Sequence, residues 1–294
     1  MEITNKAEFN ASFRQQLQQT DQLPPLPETA RQLLILRNKK DAQLDDLVKV
    51  VKQDPSLTAQ VLRYGRQAIY GYGDRIKGVK EAIALVMGFD IALHFCLGIS
   101  SGKTLQCTNS GPLGRTMVWQ QALECASLCQ LLAPKCRIEN KPNVGISYLA
   151  GLFHNFGYLL FGHLHPKEYA HLNKIVERYP HTEIRAIELH SFGISHDMIG
   201  MELMRAWNMP GEIVQAVAEH HFPDYDGEHA LYGKLVALSN RLMEKPGMQD
   251  NSIRLPTDKL LEQLNIAENK AAEALAQVRS QQEAFTAMAQ AVAA

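Results

Sequence analysis

The stretch Gly151-Leu152-Phe153-His154-Asn155-Phe156-Gly157 is the most informative segment of this chain for both its fold and its chemistry. It lies in an apolar run from Ser147 to Phe161, which predicts a helix that is apolar almost all round and central to its lobe. His154 can bind a transition metal through a ring nitrogen, whereas the Asn155 amide is neutral and a poor ligand for such a metal. The pair therefore predicts a buried polar position without a carboxylate charge.

Helical periodicity continues on both sides of this stretch. Phe9, Phe13 and Leu17 recur every four residues, which is the spacing of one helix face. Asp54 can cap a helix that begins at Pro55, because its side chain can accept from a free backbone N–H. Gly88 can serve as a C-terminal cap before a further helix from about Asp90 to Ser100. No alternating strand pattern of convincing length occurs. The sequence predicts an all-α fold.

Proline and glycine divide the chain into parts. The segment Leu23-Pro24-Pro25-Leu26-Pro27 interrupts the first helix, since proline removes a backbone donor, and the segment 107–112 is the clearest linker. We predict an N-terminal helix over 1–22, a domain over 23–222 and a C-terminal helical extension over 223–294. The domain should have two lobes, an N-terminal helical bundle to about residue 108 and a second helical lobe from about 112, which extends to about 245.

Two later helices carry start signals. Ser195 can cap the first of them, and Pro210 can open the second. On the second helix Ile213, either Ala216 or Val217, and His220 share a face, so His220 should point inward. His221 is rotated about a hundred degrees from it and is expected at a rim.

The C-terminal region carries one mainly apolar stripe. Its members, Leu275, Val278, Gln282, Phe285 and Ala289, recur at alternating steps of three and four. Packing against the chain's own lobes is the simpler interpretation, and a dimer seam is the alternative. We expect a monomer, with a dimer through the C-terminal helix left open.

Composition favours an ordinary globular protein with a substantial core. Hydrophobic residues make up 46% of the 294, and 30 basic residues against 31 acidic ones give a net charge of −1. This balance disfavours a nucleic-acid groove. The odd number of cysteines, five, without a Cys-x-x-Cys pair, predicts reduced buried thiols of a cytosolic protein.

Neither a signal peptide nor a membrane span is expected. The N-terminus lacks an apolar core, and the longest uncharged stretch, from Ile91 to Ser101, is too short to cross a bilayer. We therefore expect a soluble, cytoplasmic protein without membrane partners.

Four histidines fall where one pocket could collect them: His154, His196, His220 and His221. Imidazole ligands on separate helices commonly build zinc, iron or manganese sites. A histidine at a helix end is also often an end-capping or partly buried polar group, so both interpretations stay open. The remaining seven are expected to be structural or at the surface: His94, His163, His165, His171, His181, His190 and His229.

The order of motifs resembles the HDOD family, the HD-related output domain of bacterial signalling proteins. The matching segments are Leu23-Pro24-Pro25-Leu26-Pro27, Asp54-Pro55-Ser56-Leu57-Thr58, Ile76 with Glu81-Ala82-Ile83 and Met87-Gly88, the run from Leu149 to Gly157, and Glu188, Phe192-Gly193, His196, Gly200, Trp207, Pro210 and His220-His221. The resemblance implies a two-lobed helical fold with an HD-like second lobe, and a degenerate relative of metal-dependent phosphohydrolases.

Departures from the pattern concern the chemistry. Gln121, Asn155 and Asn240 stand at positions that catalytic relatives fill with His, Asp and Asp. Where the family usually has an Asn-Ser pair, this chain has Arg66-Gln67. Because both carboxylates are lost, the resemblance implies no catalytic residue, no cofactor and no bound metal; if a metal were held, His154, His196 and His220 would hold it.

Three functions follow, in order of preference. The first is a non-catalytic signal-transduction module that acts by binding a signalling protein or a small molecule, with the cleft between the lobes as the candidate site. The second is a weak metal-dependent phosphodiesterase on nucleotides or cyclic dinucleotides. The third is a nucleic-acid-binding regulator, which the balanced charge disfavours. The identity of the partner is not encoded in any motif.

Overall fold

Helices account for the regular structure of this chain. The computed structural model describes residues 6–19, 23–66, 72, 75–244 and 255–294. Over these ranges the regular elements are helices alone, with no β-strand, which confirms the predicted all-α class.

The helices of the first half are α1 (Lys6–Gln18), α2 (Glu28–Asn38), α3 (Leu44–Lys52), α4 (Pro55–Gly65), α5 (Val79–Ala82), α6 (Phe89–Ser101) and α7 (Arg115–Leu132). Those of the second half are α8 (Val144–Phe153), α9 (Phe156–Leu164), α10 (Pro166–Arg178), α11 (Ile184–Ser191), α12 (His196–Ala206), α13 (Gly211–Glu219), α14 (Ala230–Met243), α15 (Thr257–Gln263), α16 (Glu268–Arg279) and α17 (Gln282–Ala293). A π-helical turn, Ile83–Met87, continues α5, and two short 3₁₀ turns follow α6 and α7.

The N-terminal bundle, α2 to α6, confirms two of the predicted helix boundaries. The Asp54 carboxylate accepts from the backbone N–H of Leu57 at 2.9 Å, with Pro55 in the first position of α4. Gly88, with a φ of 73°, ends the π-helical turn before α6 begins. A left-handed φ suits glycine because it has no Cβ to clash, so the chain can turn by 119° between these two helical segments.

The predicted central helix from Ser147 to Phe161 is two helices. It breaks at His154 and Asn155, where Asn155 has φ −104° and ψ 10°, outside helical values. Each of the two helices crosses a neighbouring helix closely at a glycine. A Cβ at Gly151 would lie 2.7 Å from the Ala126 Cα on α7, and one at Gly157 would lie 1.9 Å from the backbone oxygen of His196 on α12. The break thus places His154 and Asn155 between two glycine-mediated helix crossings.

By length and composition the stretch Val144–Leu164 could cross a membrane, as could the bent pair Val79–Met87 with Phe89–Thr104. The first is 94% buried inside the protein, among α6, α7, α13 and α14. Such burial is typical of the core helix of a globular domain.

Helix α1 and the proline-rich segment after it both contact the second lobe. The Phe13 ring lies 5.5 Å from that of Phe161, and the indole Nε1 of Trp207 donates to the carbonyl of Pro24 at 2.8 Å. One apolar core runs through both predicted lobes. The lobe boundary near residues 108–112 stays a prediction.

The C-terminal stripe lies on two helices, since α16 ends at Arg279 and α17 begins at Gln282. Val278, Phe285 and Ala289 are buried, whereas Gln282 is exposed. Both helices pack along α7 of the same chain. The buried Arg115 guanidinium donates to the backbone oxygen of Ala293 at 2.7 Å, which fixes the last turn. The stripe therefore has an intramolecular packing surface, and the oligomeric state stays a prediction.

Candidate functional site

The four predicted histidines meet in the core of the second lobe. His154 follows α8, His196 begins α12, and His220 and His221 follow α13; each is at most 4% exposed. The His196 Nε2 lies 3.2 Å from the Nε2 of His220 and 3.0 Å from that of His221. We call His196, His220 and His221 the imidazole trio.

His221 lies inside this cluster, so the prediction that it faces a rim is wrong. That prediction assumed that the helix from Pro210 continues through residue 221, with a rotation of about a hundred degrees between neighbours. In the structure α13 ends at Glu219, and the turn that follows directs both His220 and His221 inward.

Hydrogen bonds fix the tautomers of two of these rings. The Nδ1 of His154 lies 2.7 Å from the carbonyl oxygen of Gly151, and the Nδ1 of His220 lies 2.8 Å from that of Val217. A carbonyl oxygen only accepts, so each Nδ1 carries the proton and each neutral Nε2 presents a lone pair. Burial lowers the pKa of His154 to about 3, and burial beside other imidazoles holds the pKa of His220 well below its usual range. Both rings are neutral at pH 7.

Glu188 on α11 fixes the third ring. Its carboxylate accepts from the Nδ1 of His196 at 2.9 Å and from the His196 backbone N–H at 3.0 Å. It therefore provides the cap at the start of α12, whereas the side chain of Ser195, the predicted cap, makes no capping bond. The ring of Tyr158 stacks on the ring of His196, with their centroids 4.2 Å apart.

Sequence reasoning did not assign Glu188 or Tyr158 to the site. Glu188 belongs to the last of the segments that resemble the family, but its position eight residues before His196 does not by itself indicate contact. The sequence does offer one signal for Glu188. It is an acidic residue on the helix before α12, and a carboxylate can accept from the free N–H groups at the start of a helix.

The side chain of Asn155 is buried, as its apolar surroundings in the sequence predict, and its amide is hydrogen-bonded. Its Nδ2 donates to the Oε1 of Gln121 at 2.7 Å, and both side chains are 3% exposed. Asn240, on α14, is not tied to this pair: its buried Oδ1 has no hydrogen-bond partner among the described residues. The structure thus joins six of the seven predicted residues through contacts or chain neighbours and leaves Asn240 outside.

A buried ion pair lies beside the trio. Arg185 Nε contacts both carboxylate oxygens of Asp197 at 3.3 Å, and its guanidinium lies 4.4 Å from the ring centroid of Phe222. Burial acts most strongly on Asp197 and opposes its charge, but His196, His221 and Arg185 together hold its pKa below the usual range. Asp197 is therefore ionised at neutral pH, and the positive charge of Arg185 balances its negative charge.

The family model for the HDOD domain matches residues 23–223. This chain belongs to the HDOD domain family. The match agrees with the motif order from Leu23 to His221 and covers more than half of the chain.

Solved HDOD-like structures share the architecture. A protein of Marinobacter aquaeolei VT8, named for signal transduction, is 30% identical, with a TM-score of 0.82 over 99% of this chain and 67% of its own. An HDOD domain protein of unknown function from Geobacter sulfurreducens is 20% identical, with a TM-score of 0.73 over 97% of each chain. A Shewanella amazonensis SB2B protein named as a phosphohydrolase is 18% identical, with a TM-score of 0.69 over 94% of this chain and 97% of its own. The last two comparisons concern the fold alone.

An uncharacterized protein of Treponema pallidum (strain Nichols) is 26% identical over 224 residues. These residues are 75% of this HDOD chain and 42% of the relative, so this chain spans less than half the length of that protein.

A metal site bridged by carboxylates, as in catalytic HD relatives, does not fit these residues. The Asn155 amide directs its donor nitrogen at Gln121, and an amide N–H cannot ligate a cation. Of the two buried acids nearby, Glu188 is bonded to His196, and Asp197 is paired with Arg185. Neither replaces the carboxylate that is absent at position 155.

Proposed function

We propose that this HDOD protein is a non-catalytic regulatory module that transmits a signal by binding another protein. The observation that carries the proposal is the amide–amide hydrogen bond between Asn155 and Gln121 at 2.7 Å. Catalytic relatives need an ionised ligand at the first of these positions to charge a metal-bound water. Here two neutral side chains satisfy each other instead.

General-base catalysis lacks a suitable group at the same place. A base must lie within hydrogen-bond reach of the water it activates, and donors or cations already bound to it lower its basicity. Glu188 accepts from two donors of His196, and Asp197 is neutralised by Arg185. Among the described residues of the cluster, these are the carboxylates that approach the imidazole rings.

A surface cavity of about 790 Å³ between the proline-rich segment, α2 and the end of α12 supports a binding role. Its wall includes Pro25, the 71%-exposed Ile35 and the half-buried Arg37, and none of the described residues that line it is acidic. The Trp207–Pro24 hydrogen bond forms its floor and joins the proline-rich segment to the second lobe. A partner bound here would touch both parts at once.

Turnover is the first test of this proposal. Purified protein is incubated with bis(p-nitrophenyl) phosphate and with a cyclic dinucleotide, each with Mn²⁺ or Mg²⁺. We expect hydrolysis no faster than that of the His154→Ala variant. Metal-dependent hydrolysis that His154→Ala abolishes would establish the second candidate, a phosphodiesterase.

Binding is tested by site-specific photo-crosslinking in the native host. A crosslinking residue replaces Ile35 in the cavity wall or, as the control, the 50%-exposed Tyr179 that follows α10. We expect a discrete protein adduct from position 35 alone, lost when Arg37→Glu cancels the positive charge that Arg31 and Arg37 give the wall. Equal adducts from both positions would argue against the cavity.

A further inference from the structure

Within the imidazole trio, the contact between His196 and His220 lacks a hydrogen-bond donor. His196 donates its Nδ1 proton to Glu188, and His220 donates its own to Val217, so both Nε2 atoms hold lone pairs. These atoms face each other at 3.2 Å. A proton on the His221 Nε2 can satisfy His196 at 3.0 Å, but it leaves the contact with His220 without a hydrogen. Lone pairs at this distance repel unless a cation, either a proton or a metal ion, lies between them.

We propose that His196, His220 and His221 bind one Zn²⁺ ion through their Nε2 atoms. Tetrahedral zinc with Zn–N bonds of 2.0–2.1 Å requires nitrogens about 3.3 Å apart. The observed separations from His196, 3.0 and 3.2 Å, are close to that spacing. Imidazole is a good zinc ligand, and three such ligands leave one coordination position.

The surroundings of the trio match those of metal-binding histidines. Such a histidine usually donates its other ring N–H to a carboxylate or a backbone carbonyl, which fixes the ring and raises its basicity. Glu188 does this for His196, and the Val217 carbonyl does it for His220. Glu188 and Asp197, both buried, also place negative charge beside the cation.

The ligand set differs from the one expected from sequence. His221 takes the place that His154 was expected to fill, because its Nε2 is within contact of His196. The His154 Nε2 is fully buried and has no hydrogen-bond partner among the described residues, and its ring lies 5.1 Å from that of His220. It is the nearest group that could complete the fourth position directly or through a water.

This site has a structural role, independent of the proposed function. The trio joins the first residue of α12 to the turn that follows α13, and all three rings are at most 4% exposed. A zinc ion held by these buried rings would stabilise the fold, since it binds the folded chain and not the unfolded one.

The test uses the full chain, stripped with a chelator and dialysed against ZnSO₄. We expect one zinc per chain by elemental analysis, a higher melting temperature with zinc, and the visible spectrum of tetrahedral cobalt after Co²⁺ substitution. The His220→Gln and His221→Gln variants should lose the zinc and the temperature shift. The matched control, His190→Gln at an exposed histidine on α11, should retain both.

A positioning variant keeps the test decisive if ligand variants fold poorly. Glu188→Gln retains all three ligands and should keep the stoichiometry while weakening zinc affinity by about 10–100-fold. Absence of saturable binding at one equivalent in the wild type, or equal loss in His190→Gln, would overturn the proposal. Neither readout uses turnover, so failure here would leave the non-catalytic role unaffected.

Discussion

At the scale of single residues, the pair formed by Asn155 and Gln121 shows how a lost charge is accommodated. An amide buried without a partner costs about 1–3 kcal/mol. We predict that Asn155→Leu lowers the free energy of unfolding by that amount, because the Gln121 oxygen loses its donor at 2.7 Å. Urea unfolding measures this, and the double variant Asn155→Leu/Gln121→Leu should recover part of the loss. A more stable single variant would show that the hydrogen bond is unimportant.

Two substitutions of Asp54 separate the contribution of its helix cap to stability from the contribution of its charge. Its carboxylate caps α4 and pairs with Lys103. Asp54→Ala should cost about 1 kcal/mol through loss of the cap, whereas Asp54→Asn retains a capping oxygen and removes only the charge.

The pH dependence of Asp54→Asn follows from a lowered pKa. Burial is the largest influence and opposes the charge, but hydrogen bonds from Lys103 and Leu57 hold the pKa of Asp54 below its ordinary 3.8. The stabilisation is therefore fully present above pH 3.8 and is lost as the pH falls through the lower, folded value. Urea unfolding should show a wild-type advantage at pH 7 that shrinks below pH 3.8. A constant difference would mean that the charge of Asp54 does not contribute.

Sequence predicted part of the site at this scale. His154 and His220 could be placed inward from helical periodicity, and Asn155 from its apolar surroundings. Glu188 and the inward turn of His221 could not, because both depend on where α11 and α13 end and on how the next helix packs. Periodicity predicts the faces within a helix but not the direction of the turn after it.

At the scale of elements, Gly157 controls the crossing of α9 with α12. A Cβ there would lie 1.9 Å from the His196 backbone oxygen, so the helices must separate. We predict that Gly157→Ala destabilises the protein by about 1–3 kcal/mol or more. Gly233→Ala on α14 is the matched control, since its nearest neighbour would be at 3.5 Å.

The control should gain about 0.5–1 kcal/mol, as alanine favours the helix over glycine. Thermal and urea unfolding of both variants check the pair. Equal effects of the two substitutions would mean that α9 and α12 tolerate separation.

Helix boundaries were predictable where local chemistry sets them. Asp54-Pro55 and Gly88 gave the start of α4 and the end of the π-helical turn. The break between α8 and α9 was missed because no proline marks it; the two glycine crossings that accompany it involve α7 and α12, which are distant in sequence. Boundaries of this kind depend on tertiary packing.

At the scale of the whole molecule, the C-terminal helices cover α7. Truncation after Ala267 removes α16 and α17 and with them the buried Phe285 and Val278. We predict a lower melting temperature and increased binding of a hydrophobic dye, because the apolar face of α7 becomes exposed. The elution volume should remain that of a monomer. A wild-type dimer that becomes a stable monomer on truncation would favour the dimer seam.

The fold class and the family were accessible from motif order, whereas the packing between distant segments was not. Nothing in the sequence indicates that α1 packs on α9 and α12, or that Trp207 donates to Pro24. Such contacts depend on complementary shapes that form only when both partners are folded.

The Arg115–Ala293 hydrogen bond has a consequence for biosynthesis. Its partners are 178 residues apart, so the ribosome makes α7 long before the helix that covers it. Until α17 emerges, the Arg115 side chain lacks this acceptor and an apolar face of α7 stays uncovered. Closing such long-range contacts is slow. The nascent chain should therefore remain a substrate for chaperones until α17 has left the exit tunnel, and the second lobe should reach its final form only after that point.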